Sequence, residues 1–299
     1  MKALVTGATG FVGKHLVARL EREGIRAFGL SSSDVDFTAD PSQIESSLLE
    51  ILERTEADVV YHVAGPKPYA APETCDSICV MGTSALLRAL DSIDDNIRLV
   101  ATGSSAEYGC SIRPRERISE EYPPRPSTAY GNAKLRQTEA VLGWGGVVLR
   151  LFNCLGPGQG DDVVAGRIVR QIASDVDRLA IRETASKRDF LDVRDAVDAL
   201  WLAATKLPPG VYNVCSGRAT GIDELINVAF EAAGIKPLPI DVEMPESEGS
   251  YQCGDPTKLE SFGWMRRYEL VESLRDAIEY ERRRLQKGVS LSSSDLRNE

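Results

Sequence analysis

Histidine is scarce in this chain, and its cysteines are not paired in sequence. The two histidines, His15 and His62, lie neither near one another nor near a cluster of carboxylates. The six cysteines form no Cys-x-x-Cys pair, the spacing typical of zinc sites and redox motifs. They are Cys75, Cys79, Cys110, Cys154, Cys215 and Cys253. Asp189, Asp192 and Asp195 fit a strand-to-helix junction with a helix cap. We therefore expect reduced, buried thiols and no metal ion.

The chain also lacks a long apolar segment and an excess of basic residues. No stretch approaches the ~18 uncharged apolar residues of a membrane span. Met1 and Lys2 lead directly into a short apolar run, without the h-region of a signal peptide. The net charge of -10 opposes binding to a phosphate backbone. We expect a cytoplasmic protein that binds neither membranes nor nucleic acid.

Predicted strands and helices alternate through the first half of the 299-residue chain. The predicted strands are residues 2–6, 25–30, 58–63, 97–102 and 146–151, with helices at about 12–20, 44–54 and 83–90 between them. This alternation is typical of parallel βαβ units. It predicts an α/β fold with a Rossmann-type, doubly wound parallel sheet.

Three glycines follow the first predicted strand in the segment TGATGFVG. Between a strand and an amphipathic helix, Gly7 permits a tight turn and Gly10 lets a pyrophosphate approach the backbone. Gly13 allows the helix to pack closely on the strand. The anion then lies at the helix N-terminus, at Phe11 and Val12. The segment predicts a dinucleotide-binding site.

The choice between NAD and NADP stays open in the sequence. A carboxylate at the end of the second strand favours the 2′-hydroxyl of NAD, whereas an arginine favours the 2′-phosphate of NADP. The segment LSSSD places Ser31 and Ser32 there, and Asp34 lies farther along the chain. We expect NAD or NADP as the cofactor.

Tyr130 and Lys134 lie four residues apart in AYGNAK, at the predicted start of a helix. This spacing places both side chains on one helix face. A neighbouring ammonium favours the phenolate and lowers the tyrosine pKa from ~10 toward the working pH. Ser104 follows the strand that ends at Thr102, at the edge of the sheet where ligands bind. The three side chains predict acid/base chemistry on a carbonyl or an alcohol.

Taken in order, the motifs resemble those of the extended short-chain dehydrogenase/reductases, the NAD-dependent epimerase/dehydratase family of nucleotide-sugar enzymes. The motifs are TGATGFVGKHL, HVAGPK, GSSAEYG, AYGNAK, LRLFNCLGPGQ, KRDFLDVRDAVDALW and GVYNVCSG. The similarity extends from Met1 to about Arg284, and within the family the chain is similar to the GDP-4-keto-6-deoxy-D-mannose reductases. The resemblance implies a nucleotide-sugar substrate and a homodimer formed through the helix after the catalytic strand and the helix that carries Tyr130.

The resemblance also implies roles for individual residues. It makes Ser104, Tyr130 and Lys134 the catalytic triad, with Tyr130 and Lys134 also contacting the cofactor and Lys134 binding the nicotinamide ribose. Further expected cofactor contacts are Ser31, Ser32, Asp40, Ala64, Gly65 and Lys67. Expected substrate contacts are Ser105, Asn153 and Arg188.

Departures from the family pattern narrow the expected reaction. The 4,6-dehydratases place Asp-Glu directly after the strand-end hydroxyl, where this chain has Ser105 and Ala106. Glu107 comes one residue too late, and strand alternation would turn it the other way. A 4,6-dehydratase is therefore disfavoured. Separately, Cys79 stands where the family often has an asparagine that serves a proton relay, so this chain lacks that residue of the relay.

The leading hypothesis is NAD(P)H-dependent reduction of an NDP-4-keto-6-deoxyhexose, in which Tyr130 donates the proton and Ser104 steadies the alkoxide. A nucleotide-sugar 4-epimerase that keeps NAD bound is the alternative, and Lys67 favours it. A non-catalytic dinucleotide-sensing regulator is a third reading, although such proteins usually lose the tyrosine or lysine. Pro245 and Glu246 replace an arginine of the reductases near the diphosphate, so the nucleotide stays open.

The pattern after residue 150 is less regular and suggests a second lobe. We expect residues 1–150 to form the NAD(P)-binding Rossmann domain, which the chain re-enters at about 189–214. Residues 151–188 and 215–287 are expected to form a smaller C-terminal substrate-binding lobe. The polar segment GVSLSSSDLRNE, residues 288–299, is expected to be a disordered tail.

Overall fold

The computed structural model describes residues 1–93, 96–109 and 116–288. The strands are β1 (Lys2–Thr6), β2 (Arg26–Leu30), β3 (Val59–His62), β4 (Arg98–Ser104), β5 (Val147–Leu151), β6 (Asn153–Leu155), β7 (Leu179–Ile181), β8 (Lys187–Asp192), β9 (Gly210–Val214), β10 (Ala219–Gly221) and β11 (Ile240–Val242). The predicted strands of the first half are therefore present. The fourth of them extends to Ser104, two residues beyond the predicted end.

The helices are α1 (Phe11–Arg22), α2 (Pro41–Thr55), α3 (Pro72–Asp76), α4 (Thr83–Asp91), α5 (Ala129–Trp144), α6 (Val164–Ala173), α7 (Val193–Thr205), α8 (Ile222–Ala233), α9 (Thr257–Glu260) and α10 (Leu270–Lys287). A π-helical turn, Ser77–Gly82, connects α3 to α4, and a 3-10 turn, Ser105–Tyr108, follows β4. Within the described ranges, none of these helices combines the length and apolar character that a bilayer crossing requires.

Six parallel strands form the main sheet, in the order β2-β1-β3-β4-β5-β9. The chain runs outward from β1 to β2 and then returns past β1 to β3. This reversal opens a crevice at the carboxyl ends of β1 and β3, where doubly wound sheets bind their ligands. The predicted Rossmann-type fold is confirmed.

The main sheet is covered by helices on both faces, which explains its nearly continuous apolar strands. Along β1, Ala3 and Val5 face the core that α1 and α7 cover, whereas Leu4 faces the core under α2 and α4. Successive side chains of a strand point to opposite faces, so one short strand serves both cores. The sheet is therefore a rigid platform for the crevice.

A second lobe packs beside the carboxyl edge of the main sheet. It contains the sheet β10-β8-β6, the pair β11-β7, and a core shared by α6, α8 and α10. Within the expected re-entry at 189–214, α7 and β9 lie on the main sheet, whereas β8 pairs with β6 and β10. Of the tail expected at 288–299, Gly288 caps α10, and 289–299 lie outside the described residues.

A buried ion pair connects the turn after β4 to β5. Arg150 Nε donates to Glu107 Oε2 at 2.7 Å, and the guanidinium carbon lies 4.6 Å from the centre of the Tyr108 ring. Glu107 Oε1 accepts a hydrogen bond from Ser104 N at 2.8 Å. The explanation from sequence, that strand alternation sets the direction of Glu107, is wrong. Strand β4 ends at Ser104, and the 3-10 turn that follows directs the Glu107 carboxylate into the core.

Removing the cation of this pair should strongly destabilise the fold. Both side chains are buried, so Arg150→Met leaves the Glu107 carboxylate without its counter-charge. We expect a loss of about 3–5 kcal/mol in the free energy of unfolding, measured by urea denaturation. The double variant Arg150→Met/Glu107→Gln keeps the acceptor for Ser104 N and should recover most of this loss. A single variant within about 1 kcal/mol of the wild type would contradict the assignment.

Candidate active site

A cleft of about 760 Å³ lies between the carboxyl edge of the main sheet and the second lobe. Most residues predicted for the site line it. They are Gly7, Gly10, Phe11, Val12, Gly13, Gly65, Lys67, Ser104, Ser105, Tyr130, Lys134, Asn153 and Arg188. Ser31, Ser32, Asp40 and Ala64 are not among its lining residues.

The glycine turn after β1 forms one end of the cleft. Gly7 has a φ of +67°, and a Cβ at Gly13 would lie 2.1 Å from Gly7 O, so a side chain there would displace the turn. Gly10 occupies the N-cap position of α1, and the first helical turn carries no acidic residue. The exposed N–H groups of such a terminus attract anions. These residues fit the diphosphate of a dinucleotide.

The predicted adenosine contacts lie at the end of β2 and in the loop beyond it. Ser31 N and Ser31 Oγ donate to Asp34 Oδ2 at 2.8 and 2.6 Å. The loop therefore folds back and places the Asp34 carboxylate at the strand end, although Asp34 is three residues farther along. Asp40 Oδ1 accepts from Ser42 N at 2.9 Å and caps α2.

Ala64 lies behind the glycine turn. Ala64 N donates to Thr6 Oγ1 at 3.1 Å, and a Cβ at Gly7 would lie 2.8 Å from Ala64 Cα. Ala64 thus packs against the turn from the protein side. Its position accounts for the close approach of two backbone segments at Gly7.

Helix α5 brings a tyrosine to the end of β4. Thr128 Oγ1 accepts a hydrogen bond from Gly131 N at 3.0 Å, which starts the helix at Ala129 and places Tyr130 in its first turn. The side chain of Ser104, the last residue of β4, is close enough to the Tyr130 phenol to lower its pKa. The phenol and the alcohol predicted from the sequence therefore meet in the cleft.

Burial governs the protonation of Tyr130. Desolvation raises the pKa of its phenol and outweighs the lowering effects of the Lys134 ammonium and the Ser104 hydroxyl. The expectation that Lys134 brings this pKa down toward working pH is therefore wrong for the protein alone. Lys134 acts in the expected direction, but the phenol stays protonated at neutral pH.

Lys134 is held by two oxygen atoms at the base of the cleft. Its side chain is 3% exposed, and Nζ donates to Thr102 O at 2.9 Å and to Gln137 Oε1 at 3.0 Å. A Cβ at Gly65 would lie 3.3 Å from Nζ, so the ammonium borders the loop after β3. Sequence reasoning missed Gln137, although its spacing of three from Lys134 places both on one helix face.

Cys79, at the position where the family often has asparagine, belongs to the core. It packs with Cys75 and Ala133 against the partly buried Tyr130, and burial raises the pKa of its thiol. The cysteines in the described part of the chain are free, and Cys110 lies outside the described residues. Cys79 therefore packs behind Tyr130 and does not supply the missing amide.

A reciprocal hydrogen-bonded pair connects the turn after β4 to the second lobe. Ser105 Oγ donates to Gln252 Oε1 at 2.9 Å, and Gln252 Nε2 donates to Ser105 O at 2.8 Å. The hydroxyl predicted to contact substrate is thus bound to a side chain 147 residues away. Nothing in the local sequence pattern points to Gln252.

The second-lobe wall of the cleft carries a fixed cation. Arg188 donates from Nη1 to Ser250 O at 2.8 Å and from Nη2 to Ser250 Oγ at 2.6 Å. Asn153 Nδ2 donates to Asp189 O at 3.0 Å. Both side chains line the cleft, as expected for contacts with a sugar nucleotide, and these substrate roles stay predictions.

The histidines and the aspartate cluster have structural partners. His62 Nδ1 and Nε2 lie 2.9 and 3.0 Å from Thr6 Oγ1 and Thr83 Oγ1, and burial lowers the His62 pKa to about 3. Asp192 caps α7 by accepting from Arg194 N at 2.7 Å. Among residues 1–93, 96–109 and 116–288, no group of His, Cys, Asp or Glu side chains is arranged to hold a metal ion.

Comparisons with known proteins agree with this geometry. A dTDP-6-deoxy-L-talose 4-dehydrogenase (NAD(P)(+)) of Kitasatospora kifunensis is 30% identical over 304 residues, covering 92% of this chain and 94% of that protein. A GDP-6-deoxy-D-mannose reductase of Pseudomonas aeruginosa is 31% identical over 293 residues, covering 92% and 95%. The solved structure of RMD from Pseudomonas aeruginosa complexed with NADPH superposes with a TM-score of 0.83 at 30% identity, covering 95% of this chain and 99% of that chain.

The model of the NAD dependent epimerase/dehydratase family matches residues 3–215. This segment contains the glycine turn, the end of β4, the first turns of α5, and Arg188. The chain belongs to the NAD dependent epimerase/dehydratase family and is an enzyme that uses a nicotinamide dinucleotide.

Proposed function

We propose that this enzyme is a nucleotide-sugar reductase that uses NAD(P)H to reduce an NDP-4-keto-6-deoxyhexose. The observation that carries the proposal is that Ser104, Tyr130 and Lys134 line the same cleft as the glycine turn. Relatives named as a deoxymannose reductase and a deoxytalose dehydrogenase support this substrate class.

Each residue of the cleft has a separate role in the proposed ketone reduction. When bound, the dinucleotide supplies the hydride. Tyr130 donates the proton to the ketone oxygen, and the Ser104 hydroxyl hydrogen bonds to that oxygen as negative charge develops on it. The Lys134 ammonium stabilises the phenolate that remains on Tyr130. Arg188 is the cation on the second-lobe wall that suits an anionic sugar nucleotide.

The reductase and the 4-epimerase use Tyr130 differently at the start of the reaction. A reductase needs a phenol that gives up a proton, whereas an epimerase first needs a phenolate that accepts one. The relatives named as a deoxymannose reductase and a deoxytalose dehydrogenase favour the reductase. In the sequence, Lys67 is the residue that favours an epimerase. Its side chain is 78% exposed, and its Nζ lies 3.7 Å from Asp162 Oδ2 of the second lobe.

The loop after β2 supports a preference for NADH over NADPH. Asp34 Oδ2 lies at the end of β2, where the adenosine ribose binds in doubly wound folds. A carboxylate accepts a hydrogen bond from a 2′-hydroxyl and repels a 2′-phosphate. We also infer a homodimer formed through α5 and a cytoplasmic location, for which the support is the family resemblance.

Tyr130→Phe should abolish turnover and spare binding. The phenylalanine ring keeps the packing but has no proton to give, so kcat should fall by about 10²–10⁴-fold. The measurement is NADH and NADPH oxidation at 340 nm with GDP- and dTDP-4-keto-6-deoxyhexoses. Dinucleotide affinity, followed by fluorescence titration, should stay within a few-fold of the wild type.

If the wild-type protein oxidises neither NADH nor NADPH with any of these sugar nucleotides, the proposal is refuted. That result is the one expected of a regulator without catalytic activity. An epimerase would purify with tightly held NAD and convert its sugar nucleotide without added reductant. Extraction of the purified protein, followed by chromatography of the released nucleotide, separates these two outcomes.

Gly13→Ala should weaken dinucleotide binding. Its Cβ would lie 2.1 Å from Gly7 O, so the turn that faces the diphosphate must move. We expect Kd for the dinucleotide to rise at least about tenfold. Gly143→Ala is the matched control, because Gly143 lies in α5 with open space around its Cβ position. Equal affinities in the two variants would contradict the assigned site.

Asp34→Asn should reduce the preference of the protein for NADH over NADPH. The wild type should bind NADH more tightly than NADPH in fluorescence titrations of the free protein, and loss of the charge should improve NADPH binding relative to NADH. Asp36→Asn in the same exposed loop is the control, since the Asp36 carboxylate accepts from Thr38 and not from Ser31. A wild type that prefers NADPH would contradict the role of Asp34.

A further inference from the structure

Gln137 lies directly behind the catalytic lysine. It is 1% exposed, on α5, and its Oε1 accepts a hydrogen bond from Lys134 Nζ at 3.0 Å. The second acceptor of that ammonium is Thr102 O of β4, at 2.9 Å. An ammonium has three protons to donate, so two hold it to the protein and the third is left for the cleft that Lys134 lines.

The amide of Gln137 is costly to bury. Within residues 1–93, 96–109 and 116–288, Gln137 Nε2 has no hydrogen-bond partner although the atom is buried. An unsatisfied buried donor destabilises a fold, and an apolar side chain of similar size would avoid that penalty. Stability alone therefore does not account for glutamine at this position. Its hydrogen bond to Lys134 does.

The Gln137 amide accepts a hydrogen bond from the Lys134 ammonium and carries no charge that would oppose it. A carboxylate in the same place would also accept the hydrogen bond, but it would offset the positive field at the phenol. The groups that act on the Tyr130 pKa are Lys134 and Ser104, which lower it, and Cys79 and Glu107, which raise it. Of these, Lys134 is the cation, so its charge is the one that stabilises a phenolate.

His62 does not supply a second positive charge near Tyr130. His62 of β3 interacts electrostatically with Lys134, but burial, together with that lysine, lowers the His62 pKa to about 3. It is therefore neutral at physiological pH. The stabilisation of a Tyr130 phenolate depends on where the Lys134 ammonium is held.

We propose that Gln137 is a positioning residue that fixes the Lys134 ammonium between Thr102 O and its own amide oxygen, beside Tyr130, without placing a negative charge next to it. The effect on rate rests on the proposed reductase function. The effect on the ammonium itself does not, so the two can fail separately.

Two variants distinguish the two effects of Gln137, which are the hydrogen bond that it accepts from the ammonium and the absence of a negative charge. Gln137→Met matches the side chain in size but accepts no strong hydrogen bond, and Gln137→Glu accepts the bond but adds a negative charge. The control is Gln43→Glu, the same chemical change at an exposed position of α2. Circular dichroism and thermal unfolding establish that each variant is folded.

The first measurement is ¹H–¹⁵N NMR of the lysine Nζ groups in the protein without cofactor or substrate. A buried, hydrogen-bonded ammonium exchanges its protons slowly, and its signal is assigned by its absence in Lys134→Met. In Gln137→Met we expect this signal to broaden or vanish through faster exchange with water. In Gln137→Glu and Gln43→Glu it should persist. An unchanged signal in Gln137→Met would overturn the proposal.

The second measurement is the steady-state reduction of the keto-sugar nucleotide. Both Gln137 variants should lose about tenfold in kcat, equivalent to about one pKa unit at Tyr130, with KM changed less than about twofold. Wild-type kcat in Gln137→Glu would overturn the claim that the neutral amide matters. If the wild type itself reduces no such sugar, the reductase function fails, and the NMR result still decides whether Gln137 holds the lysine.

Discussion

A lysine ammonium that is removed from water must be held by oxygen atoms, and the geometry of this active site follows from that requirement. Lys134 is buried at the carboxyl end of β4, where Thr102 O and the Gln137 amide take two of its protons. This fixes one turn of α5 against the strand end. Tyr130, in the preceding turn of the helix, is thereby placed beside Ser104. The same burial desolvates the phenol and keeps it protonated.

Behind this arrangement, a second buried charge shapes the turn that carries Ser104. The Glu107 carboxylate accepts from Ser104 N on one side and from Arg150 on the other, so the chain leaves β4 sharply and the serine hydroxyl stays at the sheet edge. Buried pairs of this kind add little net stability over apolar residues, but their geometry is strongly specified. The ion pair therefore contributes chiefly by fixing where the Ser104 hydroxyl lies.

Local sequence patterns were enough to predict the features that depend on neighbouring residues. The apolar run before Gly7, the glycine spacing and the helix after it predict β1, its turn and α1, and the spacing of Tyr130 and Lys134 predicts their shared helix face. Contacts made across the fold left no such pattern. Gln252 meets Ser105 from 147 residues away, and the partner of Glu107 lies on the next strand. The sign of the Tyr130 pKa shift was missed because desolvation depends on packing that only the folded chain supplies.

The reciprocal hydrogen bonds between Ser105 and Gln252 bring the two lobes into one site. Ser105 is adjacent to Ser104, so the segment that follows β11 is hydrogen bonded to the turn that begins at the end of β4. Ser250, two residues before Gln252, holds Arg188 through its carbonyl and hydroxyl oxygens. Arg188 on the second-lobe wall and Ser105 at the strand end are therefore connected through one short segment, residues 250–252, that is hydrogen bonded to both.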